Sequence, residues 1–210
     1  MRQKPSRNPL FKLVLFATAL AVIYGGYHWG NRYSSYYTQT ENLHLMQIPQ
    51  QLTPFQLTDQ HKKTFSIQRL KEHWSLIFFG YSHAEQTAGE MLTLATRVHN
   101  RLADAPELQK KLQVVFVTLD PQRDDHQVLE ELVGRYSKDF IALTGDKTEI
   151  RKLADQLGVI FKPRTGAEEG IIDHGTSMAL IDTQGELTGL FKGAVNAASM
   201  AADIKTVAER

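Results

Sequence analysis

The sequence predicts an α/β domain, a central mixed sheet flanked by helices, carried behind an apolar N-terminal helix. Three observations predict it. Short continuously apolar runs alternate with stretches that are apolar at helical spacing, the pattern of buried strands joined by helices. The last two strand-like runs are separated only by Thr183-Gln184-Gly185, so they form an antiparallel hairpin. The N-terminal stretch is apolar behind a basic start. The chain has 210 residues and no cysteine. That length buries one ordinary core, and the missing thiols exclude a disulfide framework, a Cys zinc site, a thiolate nucleophile and a Cys-X-X-Cys redox pair.

Charge divides the chain. The formal net charge is +1, yet residues 1–30 hold Arg2, Lys4, Arg7 and Lys12 and no acid, which leaves 20 basic against 23 acidic residues in the rest. The near-neutral total speaks against a nucleic-acid partner. Residues 10–30 are apolar apart from Lys12, and a helix of that length reaches roughly 30 Å, the thickness of a bilayer core. Tyr24, Tyr27 and Trp29 gather at its far end, where an interfacial aromatic belt belongs. With residues 1–9 as a basic cytoplasmic tail, the positive-inside rule places the body in the periplasm or an equivalent extracytoplasmic space. Two other readings stand beside this single-pass anchor. Ala19-Leu20-Ala21 fits a cleaved signal peptide, and the run could be a buried core helix. A linker occupies 31–44, with polar composition continuing to Thr53, and one folded domain covers 45–210.

The body's elements follow in order. Phe55–Thr58 and Thr64–Ile67 alternate around Asp59-Gln60-His61-Lys62 and predict a hairpin. Ser75–Gly80 is a short apolar run ending in glycine, a central strand. Met91, Leu94, Ala95, Val98 and Leu102 share one helix face, and Ala105-Pro106 ends that helix. Leu112–Leu119 is a second central strand. Asp124 or Asp125 caps a helix bearing Val128, Leu129, Leu132, Val133 and Tyr136. Phe140–Leu143 is a strand, and 146–157 a helix stopped by Gly158. Lys162–Gly170 is charged and reads as an exposed loop open to partner contact. Strands at 176–182 and 186–191 and a helix at 196–209 close the chain. This order is thioredoxin-like architecture.

In such a domain the reactive loop follows the first central strand, where a helix N-terminus stabilises a thiolate. Here it reads Gly80-Tyr81-Ser82-His83-Ala84-Glu85-Gln86-Thr87-Ala88-Gly89-Glu90. Ser82-His83-Ala84-Glu85 has the spacing of a capping box. Four stretches in order resemble the Sco/SenC family, membrane-anchored thioredoxin-fold proteins linked to copper delivery and cytochrome c oxidase assembly. They are Phe55–Gln60, Phe78–His83, Val117–Asp124 with Leu143-Thr144-Gly145, and Asp173–Thr176 leading into Ala179–Gly185.

The resemblance implies a metal loop with two cysteines four apart, each followed by proline, and a histidine as third ligand. In this chain the cysteine positions are Ala84 and Ala88, the proline positions Glu85 and Gly89, and the histidine His174. Two thiolates and an imidazole suit Cu(I); one imidazole alone does not make a site. Thiol–disulfide exchange is chemically excluded. Asp120, Arg123, Asp124 and Asp173 carry the family motifs as supporting residues rather than ligands.

The expectation is therefore a non-enzymatic, anchored accessory factor without copper as a cofactor. Its partners would be the membrane and oxidase subunits or other copper-assembly proteins. One alternative is a copper carrier rebuilt from His83, His174 and a thioether of Met91 or Met178. Another is an unrecognised enzyme on the same scaffold, but no G-x-S-x-G, P-loop or G-x-G-x-x-G occurs.

Overall fold

Apolar side chains on both faces of successive strands force a sheet covered on both sides. In the computed structural model, which describes residues 9–34, 40–164 and 170–209, Trp74–Gly80 (β4) and Leu112–Thr118 (β5) supply this centre. They run parallel, Phe78 opposite Phe116. Alternation then divides their side chains. Leu76, Phe78, Val114 and Phe116 enter one core, and Ile77, Phe79, Val115 and Val117 enter the other.

The chain falls into two units, Met1–Gln39 and Thr40–Arg210. The first holds one helix, Pro9–Ser34 (α1), on which Leu15, Phe16, Leu20, Val22, Ile23 and Tyr24 are exposed. Among the described residues no helix is long and apolar enough to cross a membrane.

In the second unit eight strands pair in the order β1-β10-β9-β4-β5-β6-β2-β3. The remaining ranges are Leu43–Gln51 (β1), Leu57–Asp59 (β2), Thr64–Phe65 (β3), Ile141–Thr144 (β6), Met178–Ile181 (β9) and Glu186–Phe191 (β10). Pairs β4–β5 and β5–β6 are parallel, while β9, β10 and β1 continue antiparallel on one side and β2 and β3 on the other. Helices Glu85–Arg101 (α2), His126–Gly134 (α4) and Ala197–Ala208 (α6) bury apolar residues in the core of Phe78 and Phe116. Lys147–Gln156 (α5) covers the opposite core with Ile150, Leu153 and Ala154. A short helix, Pro106–Lys111 (α3), starts at the proline read as a helix end. Proline suits that first-turn position because its missing N–H has no helical partner there.

The thioredoxin-like α/β fold with a mixed sheet is as expected. Two stretches differ from the sequence reading. Leu43–Gln51 lies inside the polar stretch read as linker, yet it forms the edge strand β1 on β10. Only Leu43 of its side chains is buried, so it lacks the apolar alternation that marks a strand. Asp203, itself buried, fixes its start by accepting from the backbone N–H groups of Glu41, Asn42 and Leu43. The stretch read as a loop after Lys162 begins and ends in a small hairpin, Phe161–Pro163 (β7) on Ile172–His174 (β8). Residues 165–169 of that stretch lie outside the described residues, as do the basic tail 1–8 and the linker residues 35–39.

Candidate functional site

Parallel strands direct their carboxyl ends to one edge, where α/β folds place their sites. Gly80 ends β4 there because a Cβ at that position would come within 2.9 Å of the buried Phe116 ring. The carbonyl of Gly80 accepts from Leu119 N–H at 2.8 Å, tying the two strand exits together. Tyr81 then turns inward. Its ring meets His174 edge to face at 6.0 Å, and its hydroxyl accepts from Ile172 N–H at 3.2 Å.

Ser82 does not cap the next helix. The capping-box reading fails because a carboxylate 42 residues away takes the serine instead. Ser82 N–H donates to Asp124 Oδ2 at 3.0 Å, and Ser82 Oγ donates to Asp124 Oδ1. The N-cap of α2 is Ala84, with no side-chain hydrogen bond, and Glu85 lies in the first turn, where its charge opposes the positive end of the helix dipole.

Asp124 joins the two loops. It is fully buried and also accepts from Thr118 Oγ1 at 2.5 Å, while its carbonyl accepts from Thr144 Oγ1 at 3.2 Å. A buried carboxylate is tolerated only when its lone pairs are met by donors. Asp125, the other candidate cap, caps α4 through Val128 N–H at 2.9 Å. Asp120 is buried at the end of the same loop and pairs with Arg123, whose second arm donates to the Gly170 carbonyl at 2.6 Å. Asp173 sits in β8 and binds Arg164 through both oxygens, at 2.7 and 2.8 Å. The Arg164 guanidinium holds the Asp173 carboxyl below the usual carboxylate range.

The two positions that the resemblance assigns to cysteine ligands carry only methyl groups. Ala84 rests against the core containing Tyr81, and Ala88 is buried in the core of Phe78. A Cβ at Gly89 would begin 3.1 Å from the Tyr136 hydroxyl, so tyrosine packing fills the space beside the second proline position. His174 is half-buried, and its Nδ1 donates to the Gly175 carbonyl at 3.1 Å, which leaves Nε2 as the one nitrogen with a lone pair. His83 is exposed, with Nδ1 3.0 Å from Ser82 Oγ. It opens onto a hollow shared with Glu131 and Tyr136, whereas His174 lies against Tyr81. Met91 and Met178 are both buried in the Phe78 core. No described contact joins the two histidines or either thioether to them. Among the described residues no three His, Cys, Asp or Glu side chains lie close enough to hold a metal ion. This donor set does not fit a soft metal.

Tyr81, Thr118 and Thr144 were not singled out by sequence. Thr118 and Thr144 are ordinary strand-end residues that only the fold brings to the loop, and Tyr81 lies in the loop itself but carries no local signal of its inward contacts.

A mixed sheet with a helix N-terminus at the exit of its first central strand, and alanines where thiols would serve, defines a thioredoxin-fold domain without a thiol pair at that loop. A family model described as SCO1/SenC matches residues 46–209, and the chain belongs to that family. An SCO2-like protein of Rickettsia prowazekii is 33% identical over 138 residues, covering 63% of this chain and 64% of its own length. An SCO2-like protein of Rickettsia bellii is 30% identical over 194 residues, covering 87% of this chain and 92% of its own. The solved structure of Bradyrhizobium japonicum ScoI with copper bound superposes with a TM-score of 0.64 at 28% identity, covering 74% of this chain and 98% of that one.

Proposed function

We propose that this chain is an exported, membrane-anchored Sco protein that works as a non-catalytic accessory factor in cytochrome c oxidase and copper-site assembly, without carrying copper at the family's loop. Sco proteins take part in that assembly, and the family membership supports the pathway. The observation that carries the rest is the state of the loop. Ala88 is buried in one core, Ala84 is half-buried against the other, and Ser82 is committed to Asp124. Such a loop is a fixed surface rather than an open ligand set.

Anchoring rests on the leader. Residues 13–24 are uncharged behind four basic residues. The exposed apolar side chains of α1, from Leu15 to Tyr24, would be buried by an apolar phase. The basic flank orients the body outward.

A deletion strain tests the function. Haem–copper oxidase activity should fall, and both the native chain and His174→Ala should restore it. Unchanged oxidase activity contradicts the pathway. Failure of a normally expressed His174→Ala chain to restore activity contradicts a copper-free role.

A further inference from the structure

A cleft of about 370 Å³ opens beside the loop just described, between the β5–α4 connection, the first turns of α5 and the β7–β8 hairpin. Its floor is apolar, with Leu119, Ile150 and Ile172 all buried. Its rim is cationic. Lys147 and Arg151 stand four residues apart on α5 and so share one helix face. Arg123 faces them across the cleft, held by Asp120 and the Gly170 carbonyl.

Among the described residues the lining holds one acid, Asp120, and Arg123 takes it. Asp146, the cap of α5, accepts from Thr148 N–H, and Glu149 is taken by Gln56 N–H and Lys152, while Asp155, one turn beyond Arg151, lies outside the lining and makes no ion pair among the described residues. No ion pair among the described residues includes Lys147 or Arg151. Arg151 instead lies over the Phe161 ring, 4.2 Å from its centroid. The ring holds the guanidinium in place, and no hydrogen bond among the described residues takes its N–H groups, which can receive a carboxylate through two parallel hydrogen bonds.

An exposed apolar side chain stands beside the cations. Ile171 lines the cleft at 41% exposure. A small inorganic anion would satisfy the charges and leave it in water. An acidic chain segment that also bears apolar or aromatic side chains would cover both.

We propose that this cleft is a docking site for an acidic, apolar-bearing segment of a partner protein, with Arg151 and Lys147 receiving its carboxylates. The proposal rests on the reading of the chain as an interaction factor only in taking the occupant to be a protein. Its test is a direct binding measurement, so its failure leaves the oxidase phenotype of the deletion strain untouched.

The full chain in neutral maltoside micelles is titrated by calorimetry with the capped peptide acetyl-EDFLEDE-amide and with its basic counterpart acetyl-KKFLKKK-amide. The acidic peptide should bind saturably and the basic one should not. Lys147→Glu with Arg151→Glu should weaken binding by roughly tenfold or more, and Arg151→Gln, which removes charge without reversing it, by about threefold or more. Lys138→Glu with Lys192→Glu alters net charge equally at exposed positions outside the lining, and should leave affinity within about twofold. Absence of binding, or equal weakening by both double variants, overturns the proposal. Displacement of the peptide by submillimolar inorganic phosphate also overturns it, because the cleft would then be a small-anion site.

Discussion

Asp124 shows how one side chain replaces a local signal by a long-range one. Its carboxylate holds Ser82 N–H, Ser82 Oγ and Thr118 Oγ1 in a fully buried position. Removing it leaves buried donors without partners, each costing more than the average hydrogen bond contributes. Asp124→Ala should therefore lose about 3 kcal/mol of stability in urea unfolding, with an unchanged denaturant slope. A loss under about 1 kcal/mol would mean that the joint between the loops is not structural. Asp59 supplies the pH dependence. Burial pushes its carboxyl up, but hydrogen bonds from Lys63 N–H, Arg69 and His61 N–H together pull it below the usual value. A carboxyl depressed in the folded state contributes stability above its unfolded pKa of about 3.9 and loses it as pH falls through the lower folded value. Stability should thus decline below about pH 4, and Asp59→Asn should flatten that decline. Equal slopes in both proteins would remove Asp59 from the account.

Elements with a buried face were legible in the sequence, and elements without one were not. The apolar runs at β4 and β5 and the helical spacing of Met91, Ala95 and Val98 mark residues that reach the core. The edge strand β1 escaped because its pairing is made by the backbone while most of its side chains stay in solvent. The β7–β8 hairpin escaped for the same reason, since Lys162, Pro163 and Asp173 are exposed. Helix α2 starts two residues later than a Ser82 cap implies, because S-x-x-E describes a local bond and Asp124, 42 residues away, takes the serine instead. The alanine positions themselves were readable only through the resemblance, since nothing in an Ala-x-x-x-Ala spacing signals a former ligand pair. At this scale the clamp on β1 is testable. Asp203→Ala should speed amide hydrogen exchange over residues 41–45 by roughly tenfold or more while β4 and β5 stay protected. Unchanged exchange there would mean that pairing with β10 alone holds the strand.

The whole molecule combines an apolar leader, a family scaffold and a closed loop. Its scaffold superposes on copper-bound ScoI from Bradyrhizobium japonicum, while the positions assigned to thiolates are methyl groups, Ala88 buried in one core and Ala84 half-buried against the other. With no cysteine in the chain, two thiolates are not available at that loop. The cationic cleft beside the loop gives the same edge of the sheet a different capacity, recognition of a carboxylate-bearing partner. The measurement that tests the central claim most directly is a Cu(I) titration of the full chain in micelles against a competing chelator, repeated with His174→Ala. The account predicts that neither protein withdraws copper from the chelator. One tightly held equivalent in the native chain, lost in His174→Ala, would contradict it.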